Sequence, residues 1–457
     1  MGRSWRQFVA RPVPGAWSSS VYAAATAAFV IILLVRGGPN PAETDAHAVT
    51  FPTTAISHGD LRLAQQQTLV PDPPGYPLLT APLVVAFRPW IGAPRWCDGK
   101  AIPAALRGTM SRFYLPILDP CSAPRSAHLT PLPPWYRSQA LLVVAAWLVL
   151  LAGVVMLVRA MGRGRTVGEG ILVVGLVALP ATTDAIAQSF HPQDLMCVGF
   201  ACWGIAELRR GRWYVAGGLL GLAFLCKQFA VLPLLAVIAS APGWRSRARI
   251  VTCFVGVVGL GVVPFFLADR IDTVHALSGI YVAGVGIIKT PTVLGLMAIA
   301  EQTKLEMARD LPVVLGGGFA LWAWWRARER LAQPVPLIGL TLACLSARLV
   351  FEVSMWNYYF LAVGVFLLLL DFVRESPPWR SLAWIAAARY GLPWIAAVAS
   401  PPLTAAAFLI AALIPVAMGL AVVARAPRPR LVEGRIRPEP LWLPSIPPPV
   451  LTTSGSP

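Results

Sequence analysis

Residues 17–35 read WSSSVYAAATAAFVIILLV, nineteen residues without a charged side chain. As a helix rising 1.5 Å per residue this run is about 29 Å long, close to the roughly 30 Å of a bilayer's hydrocarbon core. Arg3, Arg6 and Arg11 precede it. Arginine gathers on the cytoplasmic side of short membrane loops, so the N-terminus is expected inside and the residues after Val35 outside. The run is too long for a secretory signal peptide and lacks the small-residue cleavage site, which reads as a retained first helix. Working outward, further apolar runs lie near 138–158, 168–187, 194–208, 213–226, 228–240, 249–268, 311–325, 335–353, 357–373, 382–399 and 403–424. Alternating them from a cytoplasmic start puts Arg159, Arg163 and Arg165, then Arg209, Arg210 and Arg212, on the inner side. Arg245, Arg247 and Arg249, and Arg326, Arg328 and Arg330, fall there too. The expected fold is therefore all-α and integral to a plasma membrane, a bundle of about twelve transmembrane helices with both termini cytoplasmic.

Composition agrees with this reading. Only 13% of the 457 residues are charged and 56% are hydrophobic, against roughly 25% charged in soluble domains. The net charge of +17 invites a nucleic-acid partner, but the arginines sit in short connections between apolar runs. That distribution marks topology and contact with anionic lipid head groups. No phosphate-binding GxxxxGK[ST] segment and no dinucleotide fingerprint occurs. Five cysteines, Cys197, Cys202, Cys226, Cys253 and Cys344, lie in apolar runs and read as small hydrophobes. Cys97 and Cys121 flank an outer polar loop, where pairing stays an open question. The transmembrane domain is read as 1–425, including a long outer loop at 37–137, and a Pro-rich, disordered cytoplasmic tail as 426–457. Within the outer regions, 76–88 is apolar but too short to span, and 281–299 is a second stretch of that kind.

The polar membrane-edge residues then collect on the outer face: Asp45, His58, Asp60, Asp184, Gln188, His191, Asp194, Lys227, Asp269, Asp272, His275, Glu352, Trp356, Asn357 and Tyr358. Asp45 follows the first helix by about ten residues. Most such carboxylates are solvated loop residues; the functional reading is a general base at the membrane surface. Lys227 interrupts two short apolar runs, at the tip of a hairpin. There it either snorkels or holds a lipid phosphate as a point charge. His191-Pro192-Gln193-Asp194 opens a helix, with proline at the first position and acid in the first turn, which helix-start chemistry alone explains. Arg348 and Glu352 stand four residues apart, as a masking intrahelical pair or as a phosphate clamp. Tyr358 and Tyr359 could stack on a sugar or belong to an interfacial belt. His47, His58, Asp60 and His191 could gather a divalent metal, but no two histidines stand four apart on a helix, so no cofactor is expected.

Taken in order, these pieces resemble the polytopic GT-C glycosyltransferases, especially the family 87 group related to the polyprenol-phosphate-mannose-dependent enzymes of actinobacteria. They are an acid soon after the first helix, His58-Gly59-Asp60, Gly75-Tyr76-Pro77-Leu78-Leu79 and His191-Pro192-Gln193-Asp194. Lys227-Gln228 and Arg348 to Glu352 with Trp356-Asn357-Tyr358-Tyr359 complete the set. Gln193 and Glu352 depart from the acid and the aspartate that relatives carry. The resemblance implies a catalytic base at Asp45 and phosphate contacts from Lys227 and Arg348. His191, Asp194, His58, Asp60, Tyr76, Glu352, Asn357 and Tyr358 are the remaining expected substrate-binding residues. It implies an inverting transfer of mannose or arabinose from a polyprenyl-phosphate donor to an envelope lipid or polysaccharide. The rival readings are a lipid or amphiphile transporter, which would want midplane polar residues in related halves, and a non-catalytic envelope-assembly protein.

Overall fold

A computed structural model describes residues 2–35, 75–91, 134–187, 190–278, 292–353 and 357–425, with scattered positions between 52 and 64. Among these, every named element is helical. In chain order they begin α1 (Gly2–Val9), α2 (Gly15–Val35), α3 (Gly75–Ala86), α4 (Arg88–Ile91), α5 (Pro134–Ala160), α6 (Val167–Ala178) and α7 (Pro180–Ala187). Next come α8 (Pro192–Arg209), α9 (Trp213–Cys226), α10 (Val231–Ser240), α11 (Gly243–Ala268) and α12 (Arg270–Ser278). The last are α13 (Val293–Leu296), α14 (Glu301–Ala327), α15 (Pro334–Val350), α16 (Phe360–Val373), α17 (Trp379–Ala386), α18 (Leu392–Val398) and α19 (Pro401–Arg425).

Two helices form the axis of the bundle. Nearly every residue of α8 and of α16 is buried, polar ones included. A helix apolar or buried all round must be enclosed by others. Around α8, glycine permits the closest approach: a Cβ on Gly153 of α5 would run into the backbone of Gly199, and one on Gly199 into Val149. Small residues at such crossings let helix backbones meet, which is how packing is gained where lipid removes the hydrophobic drive. Trp147 of α5 is fully buried, stacks on Phe29 of α2 at 4.5 Å between centroids, and donates its indole N–H to Thr26 at 3.1 Å. The outer helices instead expose Leu34, Leu260, Leu267, Val314, Leu321, Trp325 and Trp394, the surface a bilayer would cover.

Among the described residues, four helices are long and apolar enough to cross a membrane: Gly15–Val35, Gln139–Ala160, Gly243–Ala268 and Pro401–Arg425. The pair α6 and α7, bent by 45° at Leu179–Pro180, makes a fifth if taken as one span. About twelve is a count of apolar runs, some of which form helices too short to span, and breaks fall within and between them. Proline bends the α6–α7 run. Lys227 adopts an extended conformation and separates α9 from a 3₁₀ turn over Gln228–Ala230. A π turn over Ala387–Gly391 interrupts the run that carries α17 and α18. With 14 residues, α9 is about 21 Å long, short of the roughly 30 Å core.

The connections rich in arginine share one end of the bundle, tied together by contacts. Arg163 pairs with Glu375, the Arg210 guanidinium lies 4.0 Å from Met156 Sδ, and Arg209 donates to the Ala332 carbonyl. Arg247 and Arg328 both lie over Trp324. Buried carboxylates brace that end. Glu169 accepts from Tyr22 and from the Arg165 amide, and Thr166 caps α6 by accepting from the Glu169 amide at 3.3 Å. Glu207 takes Arg210 and Arg212, while Asp371 takes Ser376 and Ser381. The cysteines of the apolar runs are free thiols, all buried except the half-buried Cys253.

Candidate active site

At the opposite end, the breaks between helices bring polar side chains into one buried cluster. Three chain reversals supply it: the start of α8, the Lys227 break, and the end of α15 with the 3₁₀ turn over Asn357–Tyr359. The N-terminus of α3 closes over them, because a Cβ on Gly75 would overlap Leu225. Lacking one, the chain sets Tyr76 beside the end of α9.

Arg348 is the most constrained member. Its guanidinium sits 4.8 Å from the Phe229 ring centroid and 4.3 Å from that of Tyr359, and its Nε lies 3.3 Å from Glu352 Oε2. Tyr359 also donates its hydroxyl to Glu352. A planar guanidinium stacks on aromatic faces where a lysine ammonium cannot. Stacking and the Nε bond fix the plane of the fork and direct its terminal nitrogens. Lys227, 8% exposed, acts through space on Glu352, and Asp194 acts through space on Arg348. Two cations and two carboxylates therefore share one low-dielectric region, where their charges act on one another strongly.

The opening of α8 is equally fixed. His191 caps the helix from outside and its ring stacks on Tyr358 at 4.1 Å between centroids. Gln193 Nε2 and His191 Nδ1 are 2.9 Å apart. Phe190, fully buried, has φ 47°, a left-handed conformation that non-glycine residues avoid. That turn swings His191 back so that its amide donates to the Ala185 carbonyl. Asp194 follows in the first turn, 2% exposed, its amide bonded to the His191 carbonyl at 3.0 Å.

Of the residues expected from sequence, the fold brings together His191, Asp194, Lys227, Arg348, Glu352 and Tyr358, with Tyr76 against the same helix break. Asp45, His58 and Asp60 lie outside the described residues, as do His47, Gln188, Trp356, Cys97, Cys121 and the tail from 426. Asn357 opens the 3₁₀ turn. The Arg348–Glu352 pair forms, but the tyrosines serve the protein itself, one on His191 and one on Arg348, instead of a free belt. Asp184 is turned to a different partner, Arg389 of the π turn, at 2.9 Å. Asp269 stays at the start of α12, accepting from the Ile271 amide. The stretch at 281–299 is described only from 292, where Thr292 caps α13 and donates to the Val353 carbonyl at 2.9 Å. Phe229 was missed because its signal is only adjacency to Lys227. Arg389 carried a stronger one, a charge inside the 382–399 apolar run. No group of three His, Cys, Asp or Glu side chains converges among the described residues.

Membrane-length apolar helices around a buried, charge-bearing cluster define a helical membrane protein. Residues 120–351, just over half of the chain, match glycosyltransferase family 87, and the protein belongs to that family. It is a glycosyltransferase. The matched region contains His191, Asp194, Lys227 and Arg348. Comparison with curated proteins returns no match.

Proposed function

We propose that the protein transfers a sugar, mannose or arabinose, from a polyprenyl-phosphate donor to a cell-envelope lipid or polysaccharide on the extracytoplasmic face. The observation that carries this reading is the convergence of Lys227 and Arg348 in one buried cluster, at the end of the bundle away from the arginine-rich connections. By the positive-inside rule that end faces outward, and both termini are cytoplasmic. A lipid phosphate reaches such a site from the membrane plane.

In this scheme Asp45 takes the proton from the acceptor hydroxyl as its oxygen attacks the anomeric carbon from the face opposite the phosphate. The anomeric C–O bond breaks, the configuration inverts, and the polyprenyl phosphate leaves with the electron pair. Lys227 and Arg348 hold the charge that develops on the departing oxygen, which is where fixed cations in a dry site lower a barrier most. Phe229, Tyr359 and Glu352 keep the Arg348 fork from moving when the charge appears. The scheme routes no step through a metal or cofactor.

The test is transfer by purified protein in lipid vesicles, with radiolabelled polyprenyl-phosphate mannose or arabinose and an envelope lipid extract, wild type beside Asp45→Asn. General-base loss is expected to cost about 10²–10⁴-fold. Full transfer by Asp45→Asn would remove Asp45 from the scheme, and absence of transfer by wild type from either donor would overturn the donor class.

A further inference from the structure

Among the described residues, one buried carboxylate stands apart. Glu169, Glu207, Glu352, Asp184 and Asp371 each take a hydroxyl, a guanidinium or a backbone amide. Asp194 is 2% exposed, and neither of its carboxylate oxygens has a hydrogen-bond partner. Leaving a buried acceptor unfilled is costly, and native proteins rarely tolerate it away from sites of function. The hydroxyl of Tyr76, also 2% exposed, is likewise without a hydrogen-bond partner among the described residues. The two belong to one neighbourhood: Tyr76 interacts through space with Cys226, and Cys197 with both Cys226 and Asp194.

Resting on the donor reading above, we propose that Asp194 recognises the sugar of the donor, accepting the hydroxyl next to the anomeric carbon, with Tyr76 at its side. A carboxylate only accepts, so its ligand must bring O–H or N–H donors. The start of α8 favours its negative charge, since helix amides point there. Asp194 also lies within electrostatic reach of Arg348 without forming an ion pair among the described residues. That spacing suits a ligand whose anionic end meets Arg348 and Lys227 while hydroxyls a few bonds away meet Asp194. A glycosyl phosphate has that shape. The hydroxyl nearest its phosphate is the one on C2, whereas a simple lipid phosphate offers none.

The experiment is a two-by-two comparison of kcat/KM in lipid vesicles: wild type and Asp194→Asn, each with polyprenyl-phosphate mannose and its 2-deoxy counterpart. In wild type, removing the hydroxyl should cost about 10–100-fold, the range for a hydrogen bond to a charged group. In Asp194→Asn, transfer from the parent donor should fall by a similar factor, and removing the hydroxyl should then cost less than about threefold. A folding defect scales both donors alike, so the donor ratio reads recognition whatever fraction of the variant is folded. Tyr76→Phe should shrink the same ratio partway. An unchanged 2-deoxy penalty in Asp194→Asn, or no penalty in wild type, would overturn the assignment while leaving the donor reading intact. Absence of transfer by wild type from all of these donors, polyprenyl-phosphate arabinose included, would overturn both.

Discussion

Replacing Arg348 by methionine should separate what the cluster does for the fold from what it does for the reaction. The substitution keeps the aliphatic length of the side chain and removes its charge. Two ring contacts disappear, at 4.8 and 4.3 Å, each worth about 0.5–2 kcal/mol according to how dry the site is. More important, Glu352 loses the guanidinium 3.3 Å away. The pair is half-buried and Glu352 keeps the Tyr359 hydroxyl, so breaking it on one side costs less than the loss of a fully buried pair, about 1–3 kcal/mol. Arg348→Met is therefore expected to lose about that much unfolding free energy, measured by denaturation in mixed micelles titrated with dodecyl sulfate. The double variant Arg348→Met/Glu352→Gln removes the stranded charge and should recover most of the loss, since an apolar or neutral replacement of a buried pair is often nearly neutral. Transfer activity should not recover, because neither variant offers a cation to the leaving phosphate. A single variant as stable as the double one would refute the reasoning: the Tyr359 hydroxyl and Lys227 would then suffice to hold Glu352 without Arg348. Activity returning with stability would show that Arg348 serves the fold alone.

Three further outcomes are expected. Phe229→Leu should raise the donor KM by about 3–30-fold with a smaller change in kcat, and Phe229→Tyr should restore it, since one face of the Arg348 sandwich is worth about 0.5–2 kcal/mol; steady-state kinetics with varied donor decides it. Gly199→Leu should force α5 and α8 apart and lose at least about 3 kcal/mol, whereas Gly256→Ala, where nothing lies within 4 Å, should be neutral or stabilising by up to about 1 kcal/mol. Thermal unfolding in detergent compares the two. Arg389→Met should cost about 3–5 kcal/mol by leaving Asp184 without its 2.9 Å partner, and Arg389→Met/Asp184→Asn should recover much of it in the same unfolding assay.

Much of the site was legible because it is made of charges where charges are expensive. Lys227, Arg348 and Glu352 interrupt apolar stretches, and that interruption marks them, whereas Asp194 opens a run where helix-start chemistry already accounts for it. The family was legible in the order of short motifs, and the family match over residues 120–351 bears it out. What an apolar run cannot say is whether its helix continues. Leu179–Pro180 and the π turn over Ala387–Gly391 break helices inside runs that hydropathy reads as continuous, 168–187 and 382–399. Partnership was hidden for a related reason. Phe229 and Tyr359 lie 130 residues apart along the chain, and only the meeting of the Lys227 break with the end of α15 puts them on either side of one guanidinium.

The sequence by itself determined that this chain is a helical membrane protein, which of its connections are basic, and which ionisable residues stand in apolar surroundings. Those properties follow from composition and spacing, because the cost of placing a charge in hydrocarbon holds whatever the neighbours are. The tertiary structure alone decided which of those charges meet and which buried group is left without a partner. Asp194 and Asp184 look equivalent in the sequence, each a lone acid near the outer edge. Packing gives one of them Arg389 and leaves the other without a hydrogen-bond partner among the described residues, within electrostatic reach of Arg348.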